Sequence, residues 1–328
     1  MGAEKFELGI IRAKELQRIN SRNEDFFLGQ GLIPFLKTCF RLCTDAGECI
    51  AISPLCRATL GVITLISDMG DADHYVAAVK ASLYNLDPDC KIVDISHRVA
   101  PFDIHSAAFM LRSVRDQFPM GSVHLIGVRP ELTPNHSHMV VHHMSQYYVG
   151  ADSGIFGLLF DEQPEDIFEV NLPLGEDWNF PMKGVLAVCA AHLSRGGVPE
   201  LLGRRTSGYQ EATRIAPVLS EDKILAHVVH IDHYGNVYTN LSRREFETAR
   251  RGRDFELIPK RSSFGIRRIS SSFYEMTEGD IGALWASNDL LMLAIRNGAN
   301  GQGGGAAQLF GFRLHDILRI EFHGETHR

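Results

Sequence analysis

From Gly61 to Gly70 the chain reads Gly-Val-Ile-Thr-Leu-Ile-Ser-Asp-Met-Gly, a β-branched and apolar run closed by Ser67, Asp68 and a glycine. That is the pattern of a buried parallel strand which stops where a helix is about to begin. In an open α/β sheet, ligands bind in the crevice beyond the carboxyl ends of the strands, so Asp68 stands at the rim of a site. A carboxylate there suits the hydroxyls of a sugar, as acidic residues do for ribose in dinucleotide folds. The competing reading has Asp68 only cap a helix that starts near Asp73.

After this run, strand patterns at 63–66, 91–95, 122–127, 138–143 and 147–150 alternate with helix patterns at 73–86 and 103–118. Pro101 precedes the second helix, Asp103 can cap it, and Ala107, Ala108, Leu111, Val114 and Phe118 fall at helical spacing. The alternation predicts an α/β fold whose sheet is largely parallel and covered by helices on both faces. A helix over 185–194 leads into Gly196-Gly197-Val198-Pro199, a domain boundary. Beyond Ala216 short strands at 223–231, 236–241, 254–257, 281–285 and 317–322 predict a smaller, mostly antiparallel β-barrel or sandwich. The expected division is an extension over 1–58, an α/β domain over 59–200, a linker over 201–215 and the β-domain over 216–328. A helical pattern over 10–19 is the one element read in the extension.

A formal charge of −7 argues against a nucleic-acid partner, which requires a basic face. Arg243, Arg244, Arg250, Arg251 and Arg253 are interleaved with Glu245, Glu247 and Asp254, which reads as a solvated face. No apolar run approaches the roughly 20 residues of a membrane span, and Glu4, Lys5 and Glu7 do not resemble a signal peptide. A cytoplasmic protein is therefore expected, and in it reduced thiols at Cys39, Cys43, Cys49 and Cys56, whose gaps match no paired zinc spacing. His136, His138, His142 and His143 extend along a strand instead of converging, so no metal is predicted. Gly301-Gln302-Gly303-Gly304-Gly305 neither follows a strand nor opens a helix as a phosphate loop does, and reads as a flexible turn.

Four segments together resemble the S-adenosylmethionine hydroxide adenosyltransferases, a family that shares its fold with fluorinase and chlorinase. They are Thr64-Leu65-Ile66-Ser67-Asp68-Met69-Gly70 with Tyr75, Val76 and Lys80; Asp94-Ile95-Ser96-His97 with Pro101-Phe102-Asp103 and Phe118-Pro119-Met120-Gly121; Ala151-Asp152-Ser153-Gly154; and Asp232-His233-Tyr234-Gly235-Asn236 with Ser287-Asn288-Asp289. The resemblance implies an N-terminal α/β domain, a C-terminal β-barrel domain, S-adenosylmethionine as substrate or ligand, and a homotrimer with sites between subunits. By position it places Asp68 on the ribose hydroxyls and Phe102 along the sugar. Phe180 joins the ligand-binding set, and Asp232, Tyr234, Asn236, Ser287 and Asn288 face the adenine and methionine ends. Aromatic faces suit a sulfonium cation, and Asn can read an adenine edge. Read without the resemblance, Asp232 to Asn236 is a tight turn between two strands.

The likeness breaks at the family's catalytic Asp, Arg and His. The Asp opens an Asp-Pro-Gly-Val-Gly loop, where this chain has Arg129-Pro130-Glu131-Leu132-Thr133, and the Arg seven residues later falls on His136. The His belongs to Thr-Phe-His-Gly-Arg-Asp, where this chain has Asn179-Phe180-Pro181-Met182-Lys183-Gly184. Groups that act as a unit are not replaced singly without large losses. Arg129, Glu131 and His136 are therefore the candidates for a rearranged site, with Glu131 or His136 as base. The expected function is cleavage of S-adenosylmethionine by water to adenosine and methionine. A non-catalytic module that binds an adenosyl ligand, and a halide-dependent enzyme, are the alternatives.

Overall fold

The computed structural model describes residues 41–43, 49–51, 61–134, 136–172, 179–259, 265–299 and 304–324. Two compact units divide the chain, Met1–Thr59 and Leu60–Arg328. In the first, strands β1 (Arg41–Cys43) and β2 (Cys49–Ala51) pair antiparallel, with Cys43 opposite Cys49. Cys39, Cys56 and the helix expected over 10–19 lie outside the described residues.

The second unit opens with β3 (Val62–Ser67), α1 (Tyr75–Leu86), β4 (Lys91–Ser96), α2 (Ile104–Val114) and β5 (Val123–Gly127). It continues with β6 (His138–His143), β7 (Gln146–Ala151), α3 (Ile155–Leu159), β8 (Asp166–Val170), α4 (Val185–Ser194) and β9 (Gly203–Arg205). The sheet order is β4-β3-β5-β7-β6-β8-β9. The first four strands run parallel and the last three antiparallel. Alternation along β3 sends Ile63 and Leu65 to one face, against Val79 and Leu83 of α1 and Leu186, Ala190 and Leu193 of α4. Ile66 goes to the other face, against Ala107 and Leu111 of α2 and Ile155, Phe156 and Leu159 of α3. Helices thus cover both faces, as the alternation requires.

Two local signals set the site-bearing ends. Asp103 caps α2, its carboxylate accepting the backbone N–H groups of His105 and Ser106. Helix α1 begins at Tyr75 with His74 as its N-cap residue, so Asp68 caps nothing. Gly203 lies inside the stretch read as linker, yet β9 is the sheet's edge strand. A Cβ at Gly203 would collide with the Glu169 carbonyl oxygen on β8, so only glycine permits that approach.

The C-terminal domain comprises β10 (Val218–Leu219), β11 (Lys223–Ile231), β12 (Val237–Ser242), α5 (Arg243–Arg250), β13 (Asp254–Ile258), β14 (Ile269–Ser270), β15 (Ile281–Trp285), β16 (Leu290–Ile295), α6 (Ala306–Phe310) and β17 (Ile317–His323). Its strand order is β13-β17-β11-β12-β16-β15-β14 with β10 on β11, antiparallel except for β14 and β15, and curled into a half-barrel. The arginine-rich stretch is not simply a solvated face. It forms α5, started by a capping box between Ser242 and Glu245, and it buries Phe246 against Phe255 and Trp285. Arg253 is itself buried and donates to the carbonyls of Arg250 and Ala249.

Helix α2 joins the two domains. Phe109 stacks on His230 of β11 at 4.5 Å and meets Tyr238 of β12 edge-on at 5.5 Å. At the end of the same helix Ser113 Oγ accepts the Asn288 side-chain amide at 2.9 Å. Among the described residues no helix is long and apolar enough to cross a membrane.

Candidate functional site

The candidate residues lie just beyond the C-terminal ends of β3, β4 and β5. Asp68, one residue past β3, accepts the Phe102 backbone N–H on Oδ2 at 2.8 Å. Its other oxygen has no hydrogen-bond partner among the described residues. Phe102 has φ 66°, a left-handed conformation that costs a bulky residue about 1–3 kcal/mol. The Asp68 bond helps to hold it there, and the ring stands 62% exposed. Phe180 is half-buried and meets Tyr75 edge-on at 5.8 Å at the start of α1.

Behind Asp68 runs a chain of polar side chains. Ser67 Oγ lies 2.7 Å from His97 Nδ1, His97 Nε2 lies 3.1 Å from Asp94, and Asp94 accepts Lys80 at 2.5 Å. Burial pulls the Asp94 carboxyl upward, but the bonds from Lys80 and His97 outweigh it and hold the group below its ordinary value. The carboxylate only accepts, so His97 Nε2 carries a proton, and in the neutral ring Nδ1 accepts from the Ser67 hydroxyl. The His97 carbonyl also accepts the Gly70 N–H at 2.7 Å. Asp94 and His97 sit three apart at the end of a strand, a spacing that offers the signal, although sequence reasoning gave neither a role.

The loop after β5 carries Arg129 and Glu131, both exposed, with Arg129 at φ 49°. Neither has an ion pair among the described residues. Thr133 and His136 exchange backbone hydrogen bonds at 3.1 and 3.2 Å, which closes the loop on itself. His136 acts on Asp152, at the end of β7. Burial raises the Asp152 carboxyl, against the Gln210 N–H that both its oxygens accept and the charge of His136. The other histidines of this region are occupied. His138 bonds the Pro130 carbonyl at 2.9 Å, His142 stacks on Tyr147, and His143 packs on Phe160. Among the described residues no group of His, Cys, Asp and Glu side chains is placed to hold a metal ion. Pro181 and Met182 are buried, and a Cβ at Gly127 would collide with the Met182 sulfur.

A second group stands on the half-barrel, in the turn between β11 and β12. Asp232 Oδ1 accepts the N–H groups of Tyr234 and Asn236, and Oδ2 accepts the Asn236 side-chain amide, all at 2.9 Å. Asn236 is buried, whereas Tyr234 is 60% exposed. The turn rests on α6, where Ala307 N–H donates to the Gly235 carbonyl. Gly305 lies against it and Gly304 against Leu309, while 301–303 lie outside the described residues. A Cβ on Gly305 would collide with the Tyr234 carbonyl oxygen, and backbone cannot yield there as a side chain can. Gly305→Ala should therefore lower stability by about 2 kcal/mol, measured by urea denaturation; an unchanged midpoint would mean that the turn is not braced from below.

Ser287 is exposed in the turn before β16, and its neighbour Asn288 commits its amide to Ser113. The structure thus assembles Asp68 with Phe102, and Asp232 with Tyr234 and Asn236. Among the described residues no side-chain hydrogen bond joins the two groups.

Comparison with known proteins gives one consistent result. Residues 63–203 match the model of the SAM hydroxide adenosyltransferase N-terminal domain, and residues 226–319 match that of the C-terminal domain. An (R)-S-adenosyl-L-methionine hydrolase of Thermus thermophilus is 30% identical over 254 residues, spanning 72% of this chain and 92% of that protein. One of the same name from Methanocaldococcus jannaschii is 30% identical over 193 residues, 57% of this chain and 69% of its own length. The crystal structure of an uncharacterized conserved protein from Thermotoga maritima aligns with a TM-score of 0.71 at 25% identity, covering 79% of this chain and 99% of that one.

Proposed function

Because the chain belongs to the SAM hydroxide adenosyltransferase family, we propose that it binds S-adenosylmethionine beyond the end of β3 and cleaves it with water to adenosine and methionine. The observation that carries this reading is the unpartnered oxygen of Asp68 beside the exposed ring of Phe102. The oxygen accepts a ribose hydroxyl, and the ring lies along the sugar. Tyr234 offers an aromatic face to the sulfonium, and the Asp232 and Asn236 turn reads the adenine and methionine ends. In a homotrimer these two groups come from neighbouring subunits, which light scattering tests by mass.

Water attacks C5′, its oxygen forms the new bond, and the carbon–sulfur bond breaks with its electron pair passing to sulfur. Methionine leaves as a neutral thioether, so the leaving group needs no acid. The protein has to align the water and take its proton. His136 takes it, with Asp152 nearby to favour the imidazolium that forms. Arg129 and Glu131 line the approach from the same loop.

The test is to incubate the protein with S-adenosylmethionine, follow adenosine by chromatography and measure binding on the same sample. Turnover should fall roughly 100-fold or more in His136→Ala while binding is kept, as expected for loss of a general base. Binding without product in the parent protein would instead favour the non-catalytic reading, which the replacement of the family's Asp, Arg and His by Arg129, His136 and Pro181 motivates. A 5′-halo-adenosine on adding chloride or fluoride would mark a halide-using enzyme.

A further inference from the structure

We propose that His97 is the positioning residue that aims Asp68, and that through it the chain formed with Ser67, Asp94 and Lys80 sets the preference for ribose over deoxyribose. The proposal rests on the ribose role given to Asp68 above. Asp68 and Met69 form the tip of a turn whose two ends, Ser67 and Gly70, are both held by residue 97. The His97 ring takes the Ser67 hydroxyl and its carbonyl takes the Gly70 N–H, each at 2.7 Å. On its other side Asp68 is fixed by the Phe102 N–H at 2.8 Å. Three bonds therefore orient the remaining carboxylate oxygen, and two of them end on one residue.

The far side of the ring is fixed as well. Asp94 holds Nε2, and Lys80 holds Asp94. The His97 side chain is only 9% exposed, so the ring cannot turn away from Ser67 without losing both partners. The order Ser, His, Asp is that of a hydrolytic triad, but this serine is fully buried and presents no hydroxyl to a substrate. The chain is a scaffold, and its product is a direction for Asp68. A carboxylate misplaced by about 1 Å loses the short, charge-assisted bond that distinguishes a hydroxyl from a hydrogen.

The experiment compares binding of adenosine and 2′-deoxyadenosine by calorimetry in the full chain and in Ser67→Ala, His97→Leu and His97→Asn. The parent should favour adenosine roughly tenfold or more, the range for one hydrogen bond to a charged group. Ser67→Ala and His97→Leu should bring that ratio close to one. His97→Asn, which keeps an acceptor near the Nδ1 position, should retain most of it. Both nucleosides weakening in parallel, with the ratio kept, would mean that His97 only supports the fold and would overturn the proposal. Ser67→Ala removes a single oxygen, so it carries the test if His97→Leu does not fold. Should the parent bind neither nucleoside, the functional reading stands or falls on S-adenosylmethionine binding and turnover as above. The clamp is then judged by hydrogen exchange at the Phe102 amide of the ligand-free protein. Faster exchange in Ser67→Ala supports it, and an unchanged rate overturns it.

Discussion

Asp232→Ala should lose about 2–4 kcal/mol of stability and weaken adenosyl-ligand binding by roughly 100-fold. The carboxylate accepts three N–H groups at 2.9 Å, and two of them, the backbone N–H and the side-chain amide, belong to the buried Asn236. Removing an acceptor in such a place leaves the donors unsatisfied, which costs more than the bonds themselves contributed. The same change releases Tyr234 and Asn236, which the proposed function sets against the ligand. Asp232→Asn retains an acceptor and should recover most of the stability, whereas the charge it removes should still weaken binding. Urea denaturation and calorimetry read the two effects separately. Full affinity in Asp232→Ala would remove this turn from the site.

The second large effect is acid lability from His124. This residue is fully buried on β5, with Nδ1 2.7 Å from the Thr64 hydroxyl and Nε2 3.2 Å from Gln146 Oε1. Burial lowers its pKa from 6.5 to about 4. Between those values the unfolded chain binds a proton that the folded one refuses, so stability rises with pH across the window and is lost on acidification. A displacement of this size corresponds to about 3 kcal/mol in all, of which about 2 kcal/mol is gone by pH 5. Urea midpoints at pH 7 and pH 5 measure it. His138, His143 and His230 are also lowered by burial and add to the slope, so His124→Leu should reduce it without abolishing it. An unchanged slope in that variant would place the acid sensitivity elsewhere. At pH 7 the variant should itself be less stable, because Thr64 and Gln146 lose a buried partner.

What the residues reveal in advance follows from how local each signal is. β6, α4, β11 and β15 have the bounds read from the sequence: in β11 one buried face imposes its period, and the other three, buried nearly all round, are bracketed by polar and glycine residues. α3 escapes, since Ile155–Leu159 is a five-residue, mostly apolar segment buried almost all round, with no period to read. β16 escapes for a similar reason, as Leu290–Ile295 is one continuous apolar run. At the site, the position of Asp68 is legible because a strand end declares it. The partner of Asn288 is not, because Ser113 lies 175 residues away along the chain. Nor is the bracing by Gly305, which depends on a backbone contact with a turn about 70 residues earlier in the sequence.

Helix α2 has its own core in the first domain, through Ala107, Ala108 and Leu111, and it offers Phe109 and Ser113 to the second. On the ribosome the first domain emerges before the second, and domains fold as units in that order. The half-barrel therefore meets a finished surface as it leaves the exit tunnel, with an aromatic ring and a hydroxyl already set out for His230 and Asn288. Phe109 and Ser113 thus fix where β11 and the turn before β16 come to rest on the first domain.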